Sequence, residues 1–234
     1  MNELLLVGSV ALIFGAVLLA WRLFGKAGLY AMTAAAAILA NIEVLILVRA
    51  FGMEQTLGNV LFAATFLITD ILSENEGKKA ANTAVFIGLF ASAFFMALAG
   101  SWRFYTPAAS DWVMPGIRTV FSAAPRTVLA SMAVYGVSQL FDVWLYHKWW
   151  AFTERRCRSR RRFLWLRNNG ATLVSQLLNT ALFTLAAFGG AAGYDGRLLL
   201  KIMGSSYIIY IATSLLDTPA VYLARRMAER KKAR

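Results

Sequence analysis

The sequence is poor in the residues from which metal sites and disulfides are built. Among its 234 residues there is one cysteine, Cys157, and one histidine, His147. A lone cysteine forms no internal disulfide, and one histidine with one cysteine falls short of the ligands that a zinc site needs. The Walker A loop, by which many ATPases bind phosphate, is missing too. We therefore expect no metal, no cofactor and no ATP hydrolysis by this chain itself.

Charged residues are also scarce. They make up 15% of the chain, against 59% hydrophobic residues and a mean hydropathy of +0.58. A soluble domain of this length cannot bury that much apolar surface. The composition therefore predicts an all-α, polytopic membrane protein that forms a single transmembrane domain over residues 1–234.

The few charges that are present are mostly positive, with a net charge of +12. The basic residues cluster between apolar stretches, which is typical of cytoplasmic loops that contact anionic lipid. No zinc-finger spacing or arginine-rich aromatic platform accompanies them. Membrane lipid is therefore the expected partner, and nucleic acid is not.

Seven apolar segments are predicted as transmembrane helices, since most have the 17–25 residues that cross the hydrocarbon core. They cover residues 3–21, 28–50, 57–73, 80–100, 121–147, 169–188 and 199–223. The first segment does not read as a cleaved signal peptide, because Glu3 precedes the apolar run and Arg22 and Lys26 follow it. This arrangement predicts that the N-terminus lies outside.

The third segment, 57–73, is short and polar, but the charge distribution requires it to cross. With seven crossings, the cytoplasmic pieces 22–27, 74–79, 148–168 and 224–234 hold 18 of the 24 Lys and Arg residues. Without this crossing, the most basic loop would lie opposite the first one, against the positive-inside tendency. The C-terminus is then expected in the cytoplasm.

Polar side chains interrupt five of the seven segments. Burying them in lipid is costly, about 2.5–3.5 kcal/mol or more per charge at mid-depth, so they usually face a cavity. Tyr135, Gln139 and Asp142 share one face of the fifth segment, and Gln176 and Asn179 share one face of the sixth. Interhelical hydrogen bonding explains any one of them. Amides and carboxylates on at least three helices together favour a transport path.

Asp70 lies in the last turn of the third segment, where the helix dipole disfavours an anion. We expect either an interfacial ion pair with Lys78, Lys79 or Arg167, or a role in substrate binding or gating. Asp142 and Asp217 stand at similar depths and leave the same two alternatives.

The second segment is rich in alanine. Ala31 with Ala35, and Ala36 with Ala40, have the small-x-x-x-small spacing that lets helices approach closely. This pattern predicts either tight packing within the bundle or a docking face for another chain, in a homo-oligomer or with an energising subunit.

Ordered motifs run along almost the whole chain. They comprise residues 58–62, 69–74, 77–80, 125–126, 138–139 with 142–144, 164–169, 175–176 with 180, and 216–219 with 221–223. In this order they resemble the bacterial queuosine precursor transporters, also described as the VUT family of vitamin uptake transporters.

The resemblance implies import of a 7-deazaguanine, namely the 7-cyano or 7-aminomethyl precursor or queuine, across the bacterial plasma membrane. It also implies a six-helix core, similar to the substrate-binding components of energy-coupling-factor transporters, with one additional N-terminal helix. Two transport hypotheses follow: an importer that works alone by alternating access, and a substrate-binding subunit that needs a separate ATPase module. A third hypothesis, an intramembrane enzyme, has no Ser/His or paired-metal constellation to support it.

A deazaguanine presents two adjacent N–H donors, which a carboxylate can accept, and a carbonyl, which an amide N–H can satisfy. The candidate substrate-binding residues are Asn41, Glu43, Asp70, Arg126, Gln139, Asp142, Gln176, Asn179 and Tyr210. Arg126 resembles a family arginine and could orient a carboxylate such as Glu43. Glu43, Asn179 and Tyr210 depart from the family pattern, which leaves the preferred deazapurine open.

Overall fold

The computed structural model describes residues 1–122, 125–157 and 163–232, and in them the all-α class is confirmed. The predicted segment 121–147 and the basic pieces 148–168 and 224–234 each include residues outside this description. The elements in chain order are α1 Asn2–Phe24, α2 Lys26–Glu43, β1 Leu47–Ala50, β2 Met53–Thr56, α3 Gly58–Asn75, α4 Lys78–Trp102, α5 Met114–Ser122, α6 Pro125–Cys157, α7 Leu164–Phe188 and α8 Gly196–Lys232.

The distribution of polarity is that of a protein in lipid. Phe86, Phe90 and Phe94, on one face of α4, are 57–73% exposed, whereas Arg167 and Gln139 are fully buried. In the described part of the chain, five helices, α1, α4, α6, α7 and α8, are long and apolar enough to cross a membrane. The chain is therefore a multi-pass membrane protein.

Helix α3 lies at the centre of the bundle, where it contacts α1, α2, α4, α6 and α8. Nearly all of its residues from Gly58 to Ser73 are buried, so its polar side chains face other helices rather than lipid. Its first turn packs directly on α2, since a Cβ at Gly58 would lie 2.9 Å from the backbone nitrogen of Val44. This central position explains how so polar a helix is accommodated.

The predicted helix over 28–50 is wrong at its C-terminal end. Helix α2 ends at Glu43, and residues 47–56 form an antiparallel hairpin in which Arg49 pairs with Glu54. Phe51 and Gly52, the two turn residues, both have positive φ, as a type I′ turn requires. Periodicity alone does not distinguish a short apolar strand from the continuation of a helix.

The predicted segment 121–147 also differs from the structure. Helix α5, Met114–Ser122, comes before it in the chain, and the described part of α6 runs from Pro125. Helix α6 then continues past the predicted end, through Trp149, Trp150 and Phe152, to Cys157.

Candidate functional site

Two small cavities lie side by side near the hairpin. The larger, about 30 Å³, is lined by residues of α2, β2, α3, α6, α7 and α8. The smaller, about 20 Å³, lies between α2, α3, α4 and α6. Both cavities share Ala40, Phe62 and Ser131 in their walls. Each volume has room for only a few water molecules, so neither cavity could hold a ligand in this conformation.

Asn59, in the first turn of α3, is the central polar group of the larger cavity. Its Oδ1 atom accepts a hydrogen bond from the Tyr210 hydroxyl at 3.0 Å and one from Thr56 Oγ1 at 3.4 Å. Its Nδ2 atom is buried without a hydrogen-bond partner among the described residues. Asn179 lines the same cavity. Asn59 therefore holds, in the cavity wall, a buried amide donor that no described residue satisfies.

Aromatic rings form the wall between the two cavities. The Phe62 ring lies 5.8 Å from the Tyr135 ring in an edge-on arrangement and 6.1 Å from the Tyr210 ring. Phe183 adds a further aromatic surface to the larger cavity. Flat aromatic faces are suited to stacking against a planar ligand.

Asn41 and Thr65, two polar residues in the wall of the smaller cavity, form hydrogen bonds with side chains of neighbouring helices. Asn41 Nδ2 donates to Ser92 Oγ at 3.0 Å, which joins α2 to α4. Gln139 Nε2 donates to Thr65 Oγ1 at 2.6 Å, and Gln139 Oε1 accepts from Thr69 Oγ1 at 3.1 Å. Gln139 therefore connects the cavity wall to the next turn of α3, which carries Asp70.

The aspartates lie deeper, along one face of α7. Thr172 Oγ1 donates to Asp70 Oδ2 at 3.1 Å, and Asn168 Nδ2 donates to Asp217 Oδ1 at 2.6 Å. Ser175 lies beside Asp142, but its hydroxyl donates to the Ala171 carbonyl oxygen at 2.9 Å. Both carboxyl oxygens of Asp142 are therefore buried without a hydrogen-bond partner in the described part of the chain. All three aspartates are at most 2% exposed.

A buried ion-pair network closes the end of the bundle opposite the hairpin. Arg167 donates to both carboxylate oxygens of Glu74, at 2.9 and 2.8 Å, and the Tyr146 hydroxyl donates to Glu74 at 2.7 Å. Arg225 of α8 lies 3.4 Å from the same carboxylate. The Arg167 guanidinium also stacks over the Trp150 ring. We call these residues the Glu74 network.

The expected ion pair of Asp70 with Lys78, Lys79 or Arg167 does not form. Arg167 pairs with Glu74 instead, one turn beyond Asp70 on α3, where the chain leaves the buried core. Among the described residues, Asp70 accepts a hydrogen bond only from the neutral hydroxyl of Thr172.

The nine predicted site residues separate into three groups. Asn179 and Tyr210 line the larger cavity and Asn41 lines the smaller one. Gln139, Asp70, Asp142 and Gln176 lie buried beyond the cavities. Glu43 and Arg126 lie elsewhere.

Glu43 is the half-buried last residue of α2 and lines neither cavity. Arg126 is exposed, and its guanidinium donates to the carbonyl oxygens of Ala186 and Gly189 at 2.8 and 2.5 Å. It therefore binds the unsatisfied C-terminal carbonyls of α7 instead of a carboxylate.

Sequence reasoning missed Asn59, Phe62 and Phe183 as candidate site residues. The first two belong to the motif 58–62, and their spacing of three places them on one helix face, so a signal was available. Phe183 stands among many other apolar residues, and no sequence pattern distinguishes it.

Comparison with known proteins yields one family. Residues 56–224 match the family model described as "Putative vitamin uptake transporter". Over 211 residues, the chain is 37% identical to a Bacillus subtilis (strain 168) protein named "Probable queuosine precursor transporter", which covers 90% of this chain and 89% of that protein. No solved structure matches the chain. Both descriptions are of transporters, which confirms the resemblance and the expectation that the chain is not an enzyme.

Proposed function

Since the chain belongs to the VUT family of vitamin uptake transporters, we propose that it imports a 7-deazaguanine precursor of queuosine. The substrate would be the 7-cyano or 7-aminomethyl form, or queuine, and the import would occur by alternating access in the bacterial plasma membrane. The printed name of the Bacillus subtilis relative supports this substrate class.

The observation that carries the proposal is the unsatisfied amide of Asn59. A buried donor without a partner costs about 1–3 kcal/mol, and the ring carbonyl of a deazaguanine is an acceptor that would remove this cost. The oxygen atoms of Asn179, Ser131 and Thr56, which line the same cavity, offer acceptors for the N–H edge of the ligand. Phe62 and Phe183 would stack against the ring.

Substrate binding requires this site to expand. Cavities that hold small ligands usually measure about 300–1,000 Å³, far above the 30 and 20 Å³ found here. Because Phe62 and Ser131 stand between the two cavities, a movement of these side chains would merge them. We propose that the structure represents the closed conformation of a transport cycle.

We propose that all seven long helices cross the membrane as one domain. Helices α2 and α3 have 18 residues each, a length of about 27 Å, against a hydrocarbon core of about 30 Å. Seven crossings place the N-terminus and the hairpin outside and the basic C-terminus in the cytoplasm. The larger cavity would then lie toward the outer face.

A second candidate function is that of a substrate-binding subunit that docks onto a separate ATPase module. The observation that favours it is the exposure of Ala31 and Ala35 on the outer face of α2, where closely spaced small residues permit helix–helix contact. The same face would also serve a homo-oligomer.

The test is the queuosine content of tRNA in a bacterial strain that lacks both precursor synthesis and its own transporter. Expression of this chain should restore queuosine when one of the three precursors is supplied at low concentration. Asn59→Leu should raise the concentration required, because losing the amide costs about 1–3 kcal/mol, or about 5–150-fold in Kd. Asn75→Ala, at the far end of the same helix, is the matched control.

If none of the three precursors restores queuosine although the chain is present in the membrane, the proposed substrate class is refuted. Uptake by the purified chain in proteoliposomes would separate the two candidate functions. Uptake that appears only after an ATPase module is added would favour the second.

A further inference from the structure

The three buried aspartates come from three different helices and meet at a fourth. Asp70 belongs to α3, Asp142 to α6 and Asp217 to α8, and the carboxyl groups of Asp142 and Asp217 lie within range of electrostatic repulsion of Asp70. On α7, Asn168, Thr172 and Ser175 follow one another at i, i+4 and i+7, so they form a single face. This face contacts all three acids in turn.

No cation among the described residues neutralises this cluster. The charged groups that face it from the surrounding helices are Glu74 of α3 and the guanidinium groups of Arg167 and Arg225. Both guanidinium groups are engaged with Glu74, and within the described ranges no Lys or Arg forms an ion pair with any of the three aspartates. The remaining titratable neighbour is the Tyr146 phenol, which donates to Glu74. Three unpaired negative charges in a buried site would cost far more than a protein fold can sustain.

The hydrogen bonding of the cluster shows that its buried atoms need hydrogen-bond donors. Independently of the acids, the amide oxygen of Asn168 is fully buried and has no partner among the described residues, although the amide nitrogen of the same residue binds Asp217. Asp70 Oδ1 and both Asp142 oxygens have no partner either. Every one of these atoms is an acceptor, so the cluster lacks donors. A protonated carboxyl group supplies a donor and removes a charge in the same step.

We propose that Asp70, Asp142 and Asp217 form a proton-binding site that couples import to proton entry, with Asp142 as the residue that exchanges its proton. Asp142 is chosen because Asp70 and Asp217 each accept one hydrogen bond from α7, whereas Asp142 accepts none from the described residues; the Ser175 hydroxyl beside it donates to the Ala171 carbonyl oxygen. A metal ion is a poorer occupant, since no group of three His, Cys, Asp or Glu side chains in the described ranges is placed to hold one. The proposal rests on the proposed transport function.

A physical connection joins this site to the cavities. Gln139 lies one turn before Asp142 on α6 and bonds both Thr65, in the cavity wall, and Thr69, next to Asp70. On α7, Asn179 lines the larger cavity one turn beyond Ser175. Displacement of α6 or α7 by a ligand would therefore change the surroundings of the carboxyl groups. Admission of water to them would allow the proton to leave.

The test uses the purified full-length chain in proteoliposomes with radiolabelled 7-cyano-7-deazaguanine, and with the 7-aminomethyl form and queuine as further probes. Counterflow at equal pH measures substrate exchange without a driving force. Accumulation is measured with the outside one pH unit more acidic, with and without a protonophore, and separately with a sodium gradient. For one proton per substrate the wild-type chain should accumulate substrate about tenfold, since one pH unit is a tenfold difference in proton activity, and the protonophore should abolish this.

Asp142→Asn mimics the protonated acid and should fold, because its amide needs no counter-charge. It should retain counterflow and lose accumulation, whereas Asp142→Glu, which keeps a titratable group, should recover part of it. Glu76→Gln, which removes an exposed carboxylate, should match the wild type in both counterflow and accumulation. If Asp142→Asn fails to fold, a pH dye in the vesicle lumen still tests the wild type, in which substrate entry should acidify the lumen.

The outcomes are distinguishable. Wild-type counterflow without accumulation in a pH gradient, or accumulation driven by sodium instead, would overturn proton coupling and leave the transport function intact. Full accumulation by Asp142→Asn would overturn the assignment to Asp142. Absence of counterflow with all three probes would remove the proposed function, and the coupling with it.

Discussion

The two ends of the helix bundle are closed by different chemistry. At the hairpin end, neutral side chains close the cavities: an amide with a phenol, a threonine and aromatic rings. At the opposite end, the Glu74 network joins α3, α6 and α7 through charge-assisted hydrogen bonds of 2.7–2.9 Å, and Arg225 adds α8 through an ion pair of 3.4 Å. One closure is uncharged, and the other is built on a buried ion pair.

This difference has an energetic consequence. A neutral hydrogen bond contributes about 0.5–1.5 kcal/mol net, and a hydrogen bond to a charged group contributes about 1.5–3 kcal/mol. The hairpin end should therefore open at a lower free energy than the end that holds the Glu74 network. In the proposed orientation this means that the closed state exchanges more readily with an outward-facing conformation.

The largest effect is expected at the Glu74 network. Arg167→Met removes the buried guanidinium and leaves the Glu74 carboxylate with the Tyr146 hydroxyl and Arg225. The free energy of unfolding in mixed micelles should fall by about 3–5 kcal/mol. Arg197→Met, at an exposed position, is the control.

The double variant Glu74→Gln with Arg167→Met should recover a large part of the lost free energy of unfolding, because no charge is then left unpaired at the centre of the network. A double variant that is as unstable as the sum of its single variants would show that the two residues act independently.

A smaller effect is expected at the hairpin end. Tyr210→Phe removes the hydroxyl that joins α8 to Asn59 of α3, and the net loss should be about 0.5–1.5 kcal/mol in the same unfolding measurement. Tyr222→Phe, on the same helix and 37% exposed, should change nothing measurable. A loss for Tyr210→Phe equal to that for Arg167→Met would remove the difference between the two ends.

The features that could be predicted from the sequence are those that depend on residues close together in the chain. The apolar segments reveal helices because crossing a membrane requires about 20 consecutive apolar residues, a local property. The shared face of Gln139 and Asp142 follows from helical spacing alone. The strand at 47–50 was missed because it depends on pairing with 53–56 across the turn at Phe51 and Gly52, and its own composition fits a helix equally well.

Partners across helices could not be read from the sequence. Asp70 had Lys78, Lys79 and Arg167 as candidate partners by sequence position, yet it bonds Thr172, 102 residues away. The contact of Gln139 with Thr65 and Thr69 joins helices that are about 70 residues apart in the chain. Such pairs are set by how α3 packs against α6 and α7, which composition and periodicity do not encode.

The smallest expected effect concerns the hairpin itself. Arg49 and Glu54 are exposed and directly opposite each other in the ladder, and a cross-strand pair of opposite charge contributes about 0.2–1 kcal/mol. Glu54→Gln should therefore speed hydrogen exchange in the backbone of residues 47–56 slightly, and added salt should reduce the difference, because exposed charges are screened. Glu76→Gln should leave the exchange of this segment unchanged.

The hairpin is also held by Asn2 Nδ2, which donates to the Arg49 carbonyl oxygen at 2.9 Å, and by Glu3, which accepts from the Phe51 amide. A large increase in exchange would therefore mean that the charge pair, and not these contacts with α1, keeps the hairpin over the cavity.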